Sequence, residues 1–511
     1  MGAFTRAGVT MLALAGAAPA ATATTRDETS VDGLTILTLE AGDDAADIRR
    51  QIDHLLDAGT RIAVTGPVSI REESRPEGVH AWPSTNTIVL DPAAGLGIFG
   101  FDAADTEQRI DLLRQWPWAD ESPGPSSRAR RDAEMVVPGG FALRNVSFDL
   151  SAASPSSACQ AFRRKLTSSI FTSVAPSDDV RRAFRKEMRR WCQYGNISHH
   201  QAATAQFSIE PFFSSFEPRL TILTEWALLR NEDPIAPERT TYLFWAKTVG
   251  EGAGSGFSRR DGSEAYYDDQ QGGLRRLLDA SIHSGWGPIA PDDLLTAWPL
   301  NSTFPQTGNT HVFVCDGPGA SKLFGCPRRL RLRSLYPADS TDGVVTVSLA
   351  ERFIVGGSAQ AGISVDNTGK VTPSFTFSLN FMRSTTDTAQ STMQLAQTRT
   401  NADTVFYRTT RWTPDVPAIY RWIKARNHKG SLAQATPLAS TLNPRYEILW
   451  EVPLEANAGR KFSYHIIYEA GWNTCFNGPI CATHLWPPDR SLQPKARVAW
   501  KDRLSLRMPL E

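Results

Sequence analysis

The stretch from Phe353 to Met382 constrains the fold more than any other. Its odd positions Phe353, Val355, Gly357, Ala359, Ala361, Ile363 and Val365 are small or apolar, and the even ones, Gly356, Ser358, Gln360, Gly362 and Ser364, are small or polar. Asp366-Asn367-Thr368-Gly369-Lys370 then supplies turn chemistry. Beyond it Val371, Pro373, Phe375, Phe377, Leu379 and Phe381 alternate with Thr372, Ser374, Thr376, Ser378 and Asn380. A period of two is that of a β-strand, so the stretch predicts a β-hairpin with one apolar face and one neutral polar face.

Pairing Val365 with Val371 sets Ile363 opposite Pro373, Ala361 opposite Phe375 and Ala359 opposite Phe377, and both apolar rows then share a face. Two readings fit such a hairpin. It can lie on a soluble core, the usual fate of a half-buried antiparallel pair; Pro373, which lacks a ladder donor, favours this. It can also form part of a transmembrane barrel, with lipid outside and water inside. Arms 355–365 and 371–381 have the about 9–11 residues a tilted strand needs to cross hydrocarbon. The nearest charges, Asp366 and Lys370, sit at the tip.

The start of the chain carries Arg6, an apolar run from Ala7 to Ala18, and Ala21-Thr22-Ala23. This predicts a signal peptide, residues 1–23, and an exported protein. No later segment has the about 18 consecutive apolar residues of a membrane helix. Lys plus Arg, at 54, equals Asp plus Glu, at 54, so no global charge draws the chain to nucleic acid or anionic lipid. Six cysteines in an exported protein predict disulfides. Connectivity is open; pairing of sequence neighbours is expected, Cys159 with Cys192, Cys315 with Cys326 and Cys475 with Cys481.

Residues 30–118 predict a small α+β unit. Asp44 to Ala58 places Ile48, Ile52, Leu55 and Leu56 on one helical face, closed by Gly59. Strands follow at Arg61–Thr65, Thr87–Leu90 and Leu96–Phe99, and a second helix at Ala104–Gln115. From Trp118 a Pro/Ser/Gly-rich linker ends in Arg128-Ala129-Arg130-Arg131. It is either an ordinary interdomain linker or a protease site that makes 24–131 a pro-segment. From Met135 onward short strands alternate with turns, and 132–511 reads as an antiparallel β-sandwich body. Helices are expected near Asp178–Trp191 and Asp268–His283. Tyr407 to Leu442 reads as irregular, with Trp412, Tyr420 and Trp422 beside Arg411, Arg421 and Lys424. Such a mixture suits either a membrane–water interface or a loop packed on the body.

Enzyme motifs are scarce. GxSxG, HExxH and an EF-hand loop are missing from the sequence, and the glycines at 250–256 lack a following Lys-Ser/Thr, so they read as a turn. His199-His200 reads as a solvated pair. No cofactor and no metal site is expected.

Several short motifs occur in one order. They are Ile48-Arg-Arg-Gln-Ile-Asp-His-Leu-Leu56 with Arg61-Ile-Ala-Val64, Gly97-Ile-Phe-Gly-Phe-Asp102, Cys159 with Trp191-Cys192 and Asn196-Ile-Ser198, Gly252-Ala-Gly254, Val355-Gly-Gly357 through Gly369-Lys370, Thr436-Pro-Leu438, and Asn443-Pro-Arg-Tyr-Glu-Ile448. In that order the chain resembles the leukocidin/haemolysin family of β-barrel pore-forming toxins, in the Vibrio cytolysin-like branch that carries a pro-domain. The resemblance implies a secreted protoxin, activated by cleavage near Arg128, Arg130 and Arg131, that binds target-cell lipid or a surface receptor and assembles into a homo-oligomeric, heptameric ring. It implies a stem hairpin at about 352–398 and a rim at about 405–445. The family's cytolysins carry lectin modules that do not follow here, so receptor binding is expected to rest on the rim or on a feature the sequence does not reveal.

On this reading Ala359, Ala361, Ile363, Val365, Val371, Phe375, Phe377, Leu379 and Phe381 face lipid. Ser358, Gln360, Ser364, Thr372, Ser374, Thr376, Ser378 and Asn380 line a pore of little charge selectivity, and Trp412, Tyr420 and Trp422 anchor the rim. A lone hairpin would leave unpaired backbone in lipid, so insertion requires assembly. The alternative is a secreted β-sandwich adhesin that forms no pore; a secreted hydrolase ranks third.

Overall fold

The structure, a computed structural model, describes residues 29–31, 33–92, 95–114, 144–170, 178–202, 219–232, 236–251, 267–268, 273–287, 325–336, 345–348, 351–365, 371–385, 388–391, 396–401, 407–414, 445–476 and 496–510. The N-terminal unit runs β1 (Thr29–Val31), β2 (Leu34–Thr38), α1 (Ala45–Ala58), β3 (Arg61–Thr65), α2 (Val68–Glu73), β4 (Ala81–Pro83), β5 (Thr87–Asp91), β6 (Leu96–Phe101) and α3 (Thr106–Arg114). Then come β7 (Arg144–Ala152), α4 (Pro155–Ile170), α5 (Asp178–Trp191), β8 (Cys192–Ala202), β9 (Arg219–Asn231), β10 (Thr241–Glu251), β11 (Tyr267–Asp268) and β12 (Gly273–Gly287). The chain continues with β13 (Arg331–Tyr336), β14 (Val345–Ser348), β15 (Glu351–Val365), β16 (Val371–Thr385), β17 (Thr388–Ser391), β18 (Ala396–Asn401) and β19 (Tyr407–Pro414). It closes with β20 (Arg445–Pro453), the short α6 (Leu454–Asn457), β21 (Lys461–Phe476) and β22 (Ala496–Arg507).

The protein is mainly β, as the sequence predicts. A 10-stranded sheet is ordered β1-β2-β3-β5-β6-β8-β9-β10-β20-β13, and a 7-stranded sheet β18-β19-β12-β21-β22-β4, with β11 beside β12. Pairing is antiparallel except at β2–β3 and β6–β8. The two sheets pack face to face. Phe244 of the first meets Trp286 and Tyr464 of the second edge to face, at ring-centroid distances of 5.2 and 4.7 Å.

Alternation sorts the central strands between two cores. Trp226, Leu228, Tyr242, Phe244, Ala246, Ile448 and Trp450 point into the core between the sheets. Their neighbours Ala227, Leu229, Leu243, Trp245 and Leu449 point the other way, into a second core roofed by α4 and α5. Because both faces of β10 are buried, its sequence from Tyr242 to Ala246 is continuously apolar.

The N-terminal unit is built into this sandwich. In α1, Asp44 accepts from the Ala46 N–H at 2.8 Å, Gly59 ends the helix in the left-handed region, and Ile48, Ile52 and Leu56 are buried. Its β6 pairs with β8 and its β4 with β22, so it reaches both sheets, and its Ile48, Ile52, Ile62, Ile88 and Ile98 belong to the same core as Trp226 and Phe244. The junction is polar and buried. The Gln193 side-chain carbonyl accepts from the N–H groups of His80 (2.7 Å) and Ala81 (3.2 Å), while its amide donates to the carbonyls of Gly78 (2.5 Å) and Arg189 (2.9 Å). Arg75 donates to Ser505 Oγ at 2.8 Å and pairs with Glu72; burial lowers its pKa to about 10.

Two expectations need correction. The segment predicted as a helix at Asp268–His283 holds the end of β11 and most of β12. A register shift between Leu277 and Asp279 breaks the alternation there, and that break leaves Leu274, Leu277, Leu278 and Ile282 at helix-like spacing. Residues 407–414, predicted as irregular, form β19, paired with both β12 and β18. Helix α4 is a further helix beyond those expected; its buried residues Ala158, Cys159, Phe162 and Leu166 lie at helical spacing. It starts with reciprocal Ser154–Ser157 capping, in which Ser157 N–H donates to Ser154 Oγ at 3.2 Å and Ser154 N–H to Ser157 Oγ at 3.0 Å.

Candidate functional site

The hairpin forms with the register that the alternation predicts: Val365 opposite Val371, Ile363 opposite Pro373, Ala361 opposite Phe375 and Ala359 opposite Phe377. Ser358 stands opposite Ser378, Gln360 opposite Thr376 and Ser364 opposite Thr372, while Ser374 and Asn380 stand opposite Gly362 and Gly356 and Phe381 opposite Val355. The arms are longer than expected, at 15 residues each. The pairing of β14 with β17, Val345 with Ser391 through Ser348 with Thr388, continues the same register below the base. One long ribbon is the result. Its charged positions, Glu351, Arg352 and Arg383, are at the base; Asp366 and Lys370 of the expected turn are outside the described residues.

The ribbon belongs to neither large sheet. β16, β15 and β7 form a separate 3-stranded sheet. Along β15, Phe353 to Ala361 are paired with Ala152 to Arg144 of β7. Leu379 anchors β16. It is buried among Ala152, Cys159, Phe162, Leu166, Phe184 and Met188, and its N–H donates to Asn231 Oδ1 at 2.8 Å. The cradle is covalently closed, because a disulfide joins Cys159 of α4 to Cys192 at the start of β8. Cys326 is also disulfide-bonded. Cys315 and Cys481 lie outside the described residues, and Cys475 is in β21 opposite Leu274.

The corner between β7 and α4 is pinned to the body. Lys247 Nζ donates to the Ala153 carbonyl at 3.1 Å, and the carboxylate of its strand neighbour Glu225 accepts from the Ser154 and Ser156 hydroxyls. Burial raises the Glu225 carboxyl above its ordinary value, while Lys247 and the two serine hydroxyls oppose that shift. Helix α5 faces two ways. Phe184, Met188 and Trp191 enter the cradle, whereas Arg185 donates to the Asp57 carbonyl at 3.0 Å and Arg189 pairs with Asp53 and Asp57 of α1.

No protein-family model and no curated protein matches the chain. Among solved structures, the chain is similar to Clostridium perfringens NetB toxin in its membrane-inserted form, at 10% identity and a TM-score of 0.23, over 61% of this chain and 96% of that one. It is similar also to Clostridium perfringens delta-toxin, at 8% identity and a TM-score of 0.25, over 61% of this chain and 90% of that one. Superpositions this loose fix neither fold nor activity.

Of the other candidate residues, Trp412 lies within β19, opposite Ala280 on one side and Thr398 on the other. Tyr420, Trp422, Arg128, Arg130 and Arg131 lie outside the described residues. Among the described residues no helix is long and apolar enough to cross a membrane, which says nothing of a β-barrel, and no cluster of metal-ligating side chains occurs. Sequence reasoning missed β7 as the partner of β15, and Asn231 and α4 as the hairpin's holders. Their only common signal is spatial, since nearly 150 residues separate Asn231 from Leu379 (|i−j|=148).

Proposed function

We propose that this chain is a secreted protoxin whose Glu351–Thr385 ribbon inserts into a target membrane, one copy per subunit of an oligomeric barrel. The observation that carries this reading is the ribbon itself. It is a regular antiparallel ladder, free of charge between base and tip, with an apolar and a neutral polar row in one register. Each 15-residue arm exceeds the span that a tilted strand needs in hydrocarbon, about 9–11 residues. In the monomer the ribbon lies outside both large sheets, so it can leave without breaking either one; the core under α4 and α5 gives up Leu379. One hairpin supplies two strands, and a lumen needs about eight or more, so copies must assemble before or during insertion. Ala359, Ile363, Phe375 and Phe377 meet lipid, while Ser358, Gln360, Thr376 and Ser378 line the pore. Cleavage near Arg131 raises activity.

Dye-loaded liposomes made from target-cell lipids test the reading, with protein added before and after limited proteolysis. Dye release together with a detergent-stable complex of several subunits is expected. A persistent monomer that binds the vesicles without release overturns the pore and favours an adhesin.

A further inference from the structure

Strand β7 occupies an edge that the proposed barrel needs. In the 3-stranded sheet β15 is central, with β16 on one side and β7 on the other. Closure of a barrel from hairpins requires each β15 to pair with β16 of a neighbouring copy, because an open edge in hydrocarbon leaves backbone groups unsatisfied. One edge cannot hold two strands. We infer that β7 is an exchangeable placeholder: it covers the assembly edge of β15 in the monomer and is displaced by β16 of a second copy. The inference rests on the pore reading and adds its control.

Three features support exchange over permanent pairing. First, the 9-residue ladder of β7 is antiparallel, as a neighbour's β16 would be, so each backbone bond lost is replaced in kind. Second, the Ala152 end of β7 is the end fastened among the described residues. Ala152 leads directly into Ala153, held by Lys247, and into α4, tied by the Cys159–Cys192 disulfide. Ala152 is paired at the hairpin base, opposite Phe353, whereas Arg144 is paired nearer the tip, opposite Ala361. Peeling therefore runs from Arg144 towards a hinge at Ala153–Ser154. Third, Arg128–Arg131 precede Arg144 in the chain, so a cut there makes β7 part of a new N-terminal arm instead of a strand tethered at both ends.

Cross-linking tests this in the full-length protein. Ser147 and Ser358 are directly opposed across β7 and β15, and Ser358 and Ser378 across the hairpin. The pair S147C/S358C, bridged with dibromobimane before liposomes are added, is expected to lose dye release. The pair S358C/S378C, bridged in the same way, is expected to keep it, because both of its strands travel together. Release by bridged S147C/S358C equal to that of the wild type overturns the placeholder and leaves the pore standing. A wild type that releases no dye even after limited proteolysis overturns both. If both bridged pairs are inactive, hydrogen exchange of the wild type on liposomes decides. Loss of amide protection in residues 144–152 while 353–361 stay protected supports displacement; retained protection in 144–152 overturns it.

Discussion

Gly195 sits in β8, the strand that takes β6 of the N-terminal unit on one side and β9 on the other. A Cβ built there would lie 1.7 Å from the Ile98 carbonyl oxygen and 2.9 Å from Trp226 Cζ2. The close approach is to backbone, so no side-chain rotation relieves it. Gly195→Ala is expected to destabilise the protein by about 1–3 kcal/mol in chemical denaturation. An unchanged midpoint would show that β6 and β8 are not so closely apposed.

His80 stands at the same junction. Its Nδ1–H donates to the Arg507 carbonyl at 3.2 Å, and its ring meets Tyr242 edge to face. Burial, with positive Arg230, Arg190 and Arg75 nearby, lowers its pKa to about 3. The unfolded chain therefore takes up a proton near pH 6.5 that the folded one refuses. The stabilisation is complete above pH 6.5 and is lost as pH falls towards 3. Relative to His80→Gln, the wild type is expected to lose about 2 kcal/mol between pH 7 and pH 5. Parallel pH profiles of the two proteins would remove His80 as the source.

At the scale of elements, the hairpin was legible because alternation is local. Its two rows, its turn and its pairing all follow from residues within one short stretch. Phe377→Asp tests the face assigned to lipid. The position pairs with Ala359. A basic residue at mid-bilayer on the lipid face of a barrel costs about 2–4 kcal/mol per strand, and Asp somewhat less, repeated in every subunit. Dye release is expected to disappear while circular dichroism of the monomer stays unchanged. Full release would move this face away from lipid. β12 escaped the same reading, because its bulge shifts the alternation partway along the strand and imitates a helical period.

At the scale of the whole molecule, the N-terminal unit is no loose appendage. It adds β6 to the first sheet and β4 to the second, and shares the core that holds Trp226, Phe244 and Trp450. After cleavage within Arg128–Arg131, the two pieces are expected to co-elute on native size exclusion and to separate only in denaturant. Separation in buffer alone would contradict the shared core. Activation on this view loosens the connection to β7 and leaves the bulk of the unit in place.

The sequence by itself determined the hairpin and its register, the mainly β class, helix α1 with its caps, and α5. Each depends on residues close together in the chain, where period and spacing carry the information. Only the tertiary structure decided that β7 covers β15, that α4 and α5 cradle Leu379, and that the N-terminal strands extend the body's sheets. Those pairings join segments far apart in sequence, and backbone hydrogen bonds accept any strand of suitable length. The choice of partner is made by the shape of the assembled core, which no single stretch encodes.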